Sequence, residues 1–270
     1  MNRLDERFAA LKKKNECALV GFVAFGDPSL EDSLDLVTAM CRAGLDVLEL
    51  GIPFSDPTAD GPVIQRAAGR ALKAGATLAG AIGMTKALRK KIDIPIVLFS
   101  YYNPVFAYGP ERFYRDSQKA GADGVLIVDL PHEESHELTR CWNRDDFALI
   151  RLVAPTTPPE RMKRIAEDAS GFLYLVSKTG VTGSSGIDIN SVKNKVNDLH
   201  GITHVPVCVG FGISSPADAK ALAPYAEGIV IGSAFEKTIE EHLGGNDLTV
   251  RLDSQIRDYK ASLYSAPLEK

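Results

Sequence analysis

The sequence predicts an α/β fold, a single-domain (βα)8 or TIM barrel covering residues 1–270 with an extra N-terminal helix. Three observations predict it. Eight short apolar runs rich in β-branched residues alternate with longer amphipathic stretches, the pattern of parallel strands buried on both faces and covered by helices. A chain of 270 residues that is 45% hydrophobic and 24% charged can bury one full core at the upper size of a single domain. The polar residues that do not fit an apolar strand fall at the ends of these runs, where a barrel of this kind builds its site.

Taken in order, the amphipathic segment before the first run places Leu4, Phe8 and Leu11 on one helical face, a plug for the bottom of the barrel. The runs follow as "ALVGFVA" (18–24), "DVLEL" (46–50), "IPIVLF" (94–99), "GVLIVD" (124–129), "ALIRLV" (148–153), "FLYLV" (172–176), "VPVCVG" (205–210) and "GIVIG" (228–232). Between them, "SLEDSLDLVTAMCRAG" and "PERFYRDSQKAG" read as helices closed by a glycine. The fifth run carries Arg151, which requires a polar partner off the strand. After Leu263 the tail reads as frayed, and no linker, low-complexity tract or second domain interrupts the chain.

A net charge of −4 with no long Lys/Arg run leaves no basic face for a phosphodiester backbone, so a small molecule rather than nucleic acid is expected. The charged N-terminus lacks the apolar segment of a signal peptide, and no stretch approaches the roughly 18 apolar residues of a membrane span. A cytoplasmic protein without membrane contact is expected. Cys17, Cys41, Cys141 and Cys208 form no Cys-x-x-Cys pair and read as reduced thiols, most of them small core residues.

"LELGIPFSDPTADGPVIQ" (48–65) starts as a buried strand yet carries Glu49, Asp56 and Asp60. Glu49 interrupts the apolar Val47, Leu48 and Leu50, where an ionised carboxylate would lose its hydration without an obvious partner. Asp129 ends the fourth run and Tyr174 lies in the sixth. Near the C-terminal end of the chain, Gly210-Phe211-Gly212 leads into Ser214, Ser215 and Pro216, and Gly232-Ser233-Ala234 leads into "FEKTIEEH". Both are glycine turns feeding helix starts after strands seven and eight, where backbone N–H groups and the helix dipole hold phosphate; Gly183, after strand six, adds a further N–H. "GFGISS" lacks the third glycine of a dinucleotide fingerprint.

Two motifs compete with a carboxylate site. "HEESH" (132–136) has the spacing of a zinc-binding helix, but Pro131 puts it in a first helical turn and no third ligand is apparent, so His132 and His136 read as surface residues. Lys178 follows strand six, a place for an imine-forming lysine, but it opens the glycine-rich "KTGVTGSSG", a solvated lid over about 178–188 that would not depress its pKa. A sugar-phosphate isomerase would want acids after strands one and five; Asp27 fills the first place, and "RLVAPTTPP" offers none for the second.

Together "GFVAFGDP", "LELGIPFSDPTADGPVIQ", "YYNPV", "VDLP", "YLVSKTGVTG", "VGFGIS" and "IGSAF" resemble the tryptophan synthase alpha subunit family, in order from about residue 5 to 260. The resemblance implies a lyase that splits indole-3-glycerol phosphate into indole and glyceraldehyde 3-phosphate without metal or cofactor, and hands indole to a beta subunit within an alpha2beta2 complex. It implies Glu49 as the acid/base and Asp60 as the carboxylate that holds the indole N–H. Phe22 and Phe99 correspond to walls of the indole pocket, Tyr174 to a polar contact beside Glu49, and Gly183, Gly212, Gly232 and Ser233 to the phosphate cradle. Thr182 corresponds to the lid residue that closes toward Asp60, Asp56 to the beta-facing loop, and Asp129 to the same communicating surface. A stand-alone lyase of the same family, or an aldolase using Lys178, are the alternatives.

Overall fold

The computed structural model describes residues 2–143, 145–177 and 187–264. Among these, eight parallel strands close into a barrel in sequence order: β1 Ala18–Ala24, β2 Val47–Gly51, β3 Ile96–Ser100, β4 Gly124–Ile127, β5 Ala148–Val153, β6 Leu173–Val176, β7 Val207–Gly210 and β8 Gly228–Ile231. The helices around them are α1 Arg3–Lys14, α2 Leu30–Ala43, α3 Pro62–Lys73, α4 Leu78–Leu88, α5 Tyr102–Tyr108, α6 Pro110–Ala120, α7 His136–Thr139, α8 Pro159–Glu167, α9 Ile189–His200, α10 Pro216–Leu222, α11 Ser233–Glu241 and α12 Leu248–Tyr264. The predicted runs and strands agree except at their ends. β3 and β7 begin after Pro95 and Pro206, whose carbonyls still accept from Leu48 and Leu173 at 2.9 and 2.8 Å but which have no N–H to offer a ladder.

Alternation along each strand divides the core in two. Ala18, Val20 and Phe22 of β1 and Val47 of β2 face the barrel interior with Val97, Leu126, Ile150, Phe172 and Cys208. Leu19 and Val23, or Leu48 and Leu50, face the surrounding helices. α1 buries Leu4, Phe8 and Leu11 in the interior set, and Phe8 packs on Phe172 with ring centroids 5.9 Å apart, so this helix does plug the barrel. It is tied there by the Asn2 side-chain amide donating to Asp123 O at 2.7 Å and by Arg3 paired with Asp123 at 2.9 Å.

The predicted surface helices are also present. α2 starts at the Ser29 cap and ends at Gly44, whose φ of 134° suits only glycine; α6 ends at Gly121 (φ 94°). Arg151 finds its polar partners outside the barrel, donating to Ser135 Oγ at 2.6 Å and pairing with Asp168 just past α8.

Candidate active site

Parallel register sets the height of each side chain. Phe22, Glu49 and Val97 lie in one row across β1, β2 and β3, and Phe99 lies one inward-facing position higher on β3. Phe22 and Phe99 meet edge to face, 5.2 Å between centroids at 77°, a geometry aromatic quadrupoles favour. The Phe22 ring passes directly over Gly51, where an added Cβ would sit 2.6 Å from it. Glycine at the end of β2 therefore makes room for this wall.

Glu49 is 1% exposed, and its Oε1 has no hydrogen-bond partner among the described residues. Loss of hydration pushes its carboxyl from about 4.5 to about 8, so at neutral pH it carries its proton. Tyr174 is buried beside it: desolvation and the nearby Glu49 charge raise the phenol well above its usual range, while the Phe211 N–H donates to its oxygen. The hydroxyl lies against Gly210, where a Cβ would stand 2.1 Å away, so β7 must end in glycine for Tyr174 to reach this height.

Asp60 approaches from the β2–α3 loop, immediately before Gly61 and Pro62 start α3. Partial burial raises its carboxyl to about 6 against a hydrogen bond from Tyr101 that favours the charged form. The site thus holds two acids of different state near pH 7, a neutral Glu49 and an ionised Asp60. Asp60 is itself half-buried in this loop. Tyr101 is the residue the sequence reading passed over. Its hydroxyl also accepts the Ala59 N–H at 2.9 Å and so grips the loop on both sides of the Ala59–Asp60 peptide.

The opposite wall carries the glycine turns. α11 starts at Gly232 and Ser233, both on the cavity wall, with no side-chain cap; the Phe235 and Glu236 N–H groups donate to Gly232 O at 3.0 and 3.1 Å, which leaves those of Ser233 and Ala234 for a ligand. Gly212 adopts φ 77° after Phe211 at φ 69°, and Phe211 leans edge-on against Tyr174 at 5.7 Å. The expected second helix start is otherwise employed. At α10 the Asp218 carboxylate accepts from the N–H groups of Ser214 and Ser215 at 3.3 and 3.1 Å, and Ser215 Oγ accepts from Asp218 N–H. An anion would compete there with a carboxylate already in place, so from this turn only Gly212 and its neighbours face the cavity.

One cavity of about 900 Å³ brings these groups together. Phe22, Glu49, Asp60, Phe99, Tyr174, Gly212, Gly232 and Ser233 all line it, with Ile64, Phe211 and Val230 as further apolar surface and Asp129 at its edge. Asp129 accepts the Tyr102 N–H at 2.7 Å and thereby caps α5. Asp56 stands outside, exposed on the same loop as Asp60. Thr182 and Gly183, and with them Lys178, lie outside the described residues.

The competing motifs take other roles. His136 is exposed, but His132 is half-buried rather than a surface residue, its Nδ1 3.4 Å from Asp168. Among the described residues, no three His, Cys, Asp or Glu side chains are grouped so that they could hold a metal ion. Asp27 is fully buried in a two-point grip by Arg70 and is not part of the cavity wall, so it offers no base to a sugar phosphate.

Comparison with known proteins agrees with this geometry. The family model described as tryptophan synthase alpha chain matches residues 8–263. The tryptophan synthase alpha chain of Desulfosudis oleivorans is 58% identical, over 97% of this chain and 99% of its own length, and that of Desulfatibacillum aliphaticivorans is 57% identical over 98% and 99%. The crystal structure of tryptophan synthase subunit alpha from Legionella pneumophila str. Paris superposes with a TM-score of 0.90 at 34% identity, covering 98% of this chain and 99% of that one. A buried glutamate and a half-buried aspartate lining one cavity thus stand within a match that runs almost end to end, and the chain belongs to the tryptophan synthase alpha chain family.

Proposed function

We propose that the cavity binds indole-3-glycerol phosphate and that Glu49 and Asp60 carry out its retro-aldol cleavage to indole and glyceraldehyde 3-phosphate, the alpha reaction of tryptophan biosynthesis. The observation that carries this reading is the pair of displaced carboxyl groups on one apolar cavity. Breaking the bond between indole C3 and the glycerol carbon requires a proton at C3 and removal of the proton from the adjacent hydroxyl. Neutral Glu49 delivers the first, and the carboxylate so formed takes the second, which regenerates the starting acid. Protonation at C3 places positive charge on the indole nitrogen. Ionised Asp60 accepts that N–H and stabilises the charge as it develops, an effect strengthened where water is excluded.

Phe22 and Phe99 supply flat apolar surface for the indole, and the phenol of Tyr174 fixes the orientation of Glu49 or of the substrate hydroxyl. The uncapped first turn of α11 at Gly232 and Ser233, with Gly212, receives the phosphate. Thr182 closing toward Asp60 and Gly183 completing the cradle belong to the same proposal. Anchoring the phosphate contributes to the rate as well as to affinity, because binding energy far from the reacting bond holds C3 at Glu49.

A beta subunit is the partner of an alpha chain. The exposed Asp56 on the proline-rich 53–62 loop is positioned to meet it, and an alpha2beta2 assembly in the cytoplasm is part of this reading. Among the described residues, no helix is long and apolar enough to cross a membrane. The test is indole release from indole-3-glycerol phosphate by the purified chain, alone and with a beta subunit. No indole under either condition overturns the function; indole at a rate insensitive to the beta subunit would favour a stand-alone lyase.

A further inference from the structure

A charged cluster lies one helical turn behind the phosphate cradle, on the outside of the barrel. Arg70, two turns into α3, donates to both carboxylate oxygens of Asp27 at 2.8 Å and to Glu240 at 3.0 Å. Glu240 in turn receives a second fork from Arg66 at 2.6 and 2.8 Å. Glu236, three residues beyond Ser233 on α11, is fully buried and accepts the Ala24 N–H at 2.6 Å, a backbone donor that stands past the last β1–β8 pair and has no strand partner there. Its other oxygen, Oε2, is buried with no hydrogen-bond partner among the described residues, and burial together with the neighbouring Asp27 raises its carboxyl well above the usual range.

The cluster joins the two halves of the site. α3 is the helix that Asp60 leads into, and α11 is the helix whose start receives phosphate. Both pack on β1, and Arg70 is the side chain that grips an acid on each side of the joint. We infer that Arg70 is a positioning residue for the cleavage: by holding Asp27 and Glu240 together it locks α3 against α11 and so fixes the distance between Asp60 and the phosphate cradle. This rests on the function proposed above. A planar fork is required, because a lysine ammonium cannot bond two oxygens of Asp27 and reach Glu240 in one fixed geometry.

The test is a double-mutant cycle. Arg70→Lys is expected to lower kcat about tenfold, since sub-ångström misplacement of a reacting group has effects of this order or larger, with glycerol 3-phosphate affinity changed less than twofold. Affinity for indole-3-propanol, which reports the contact between Asp60 and the indole N–H, is expected to fall about fivefold. In an Asp60→Asn background the same Arg70→Lys change should alter indole-3-propanol affinity less than twofold, a cycle readable even where turnover is slow. Equal losses in both backgrounds, or a parallel loss of glycerol 3-phosphate, would show a general structural role and overturn the inference.

Removing a buried fork can unfold a chain, so Glu240→Ala, at a carboxylate a quarter exposed, serves as the second variant. It should reproduce the pattern at about threefold. A Glu240→Ala protein with wild-type kcat and indole-3-propanol affinity would overturn the inference whatever Arg70→Lys does. Wild type that cleaves indole-3-glycerol phosphate while the cycle comes out additive defeats the clamp alone; wild type that releases no indole defeats the function and the clamp with it.

Discussion

The Tyr101 hydroxyl accepts the Ala59 N–H at 2.9 Å and donates to the Asp60 carboxylate. One side chain on the rim of β3 therefore fixes both the backbone and the charge of a loop that starts at β2. Tyr101→Phe keeps the ring, which stacks obliquely on Phe54 at 5.3 Å, and removes only the oxygen. Loss of a hydrogen bond to a charged group is worth about 1.5 to 3 kcal/mol, so kcat should fall about 10- to 100-fold with little change in thermal midpoint. The Asp60 carboxyl should also move above 6, because the bond that favours its charged form is gone. Unaltered turnover with an unaltered acid limb would remove Tyr101 from the site.

The pH dependence follows from the two displaced acids. The free enzyme is competent with Asp60 ionised and Glu49 protonated, so kcat/KM should rise through about 6 and fall through about 8. The substrate phosphate also titrates near 6 and could produce the acid limb by itself. Asp60→Asn separates the two sources. The limb vanishes if Asp60 is its origin and stays if the phosphate is. A rate that continues to rise beyond pH 9 would contradict a protonated Glu49.

At the phosphate end, Gly212→Val and Ser233→Leu should raise KM or the glycerol 3-phosphate dissociation constant at least tenfold. Each change crowds N–H groups whose charged hydrogen bonds contribute about 1.5 to 3 kcal/mol. Gly212→Val carries a further cost, since a β-branched residue at φ 77° is strained. By contrast, Ser214→Ala should leave phosphate affinity unchanged, because the Ser214 N–H is already held by Asp218. Calorimetric titration of glycerol 3-phosphate distinguishes these outcomes.

What could be read in the sequence, and what could not, divides along the same physical lines. Glu49 was legible because a charge inside an apolar strand has no ordinary reason to be there. The barrel was legible because eight runs apolar on both faces need helices on the outside. Tyr101 was not, since two adjacent tyrosines point to opposite sides and only the closed barrel decides which one reaches Asp60. The self-capping of α10 was readable from Ser215 and Asp218 three residues apart, but the glycines before it drew attention to phosphate instead. The clamp of Arg70 on Asp27 and Glu240 spans 43 and 170 residues of sequence and leaves no local pattern.

The last prediction separates what Glu49 does for catalysis from what it costs the fold. Glu49→Gln keeps the size and most of the polarity but cannot exchange a proton, so kcat should fall by about 10² to 10⁴ while substrate binding survives. Stability should move the other way. A carboxyl whose folded pKa is raised from about 4.5 to about 8 binds its proton more tightly in the native state. The native protein therefore holds more protons than the unfolded chain between those values, and its stability declines as pH rises through that window. The full difference is at most about 5 kcal/mol, from 1.36 kcal/mol per unit, and relaxation around the carboxylate reduces it. Wild type and Glu49→Gln should thus be close in thermal midpoint near pH 4.5, with the variant gaining several degrees by pH 8. Other raised acids, such as Glu236, are common to both proteins and cancel in the comparison. A variant that loses stability at every pH would make Glu49 a structural acid, and one that turns over normally would remove it from the chemistry.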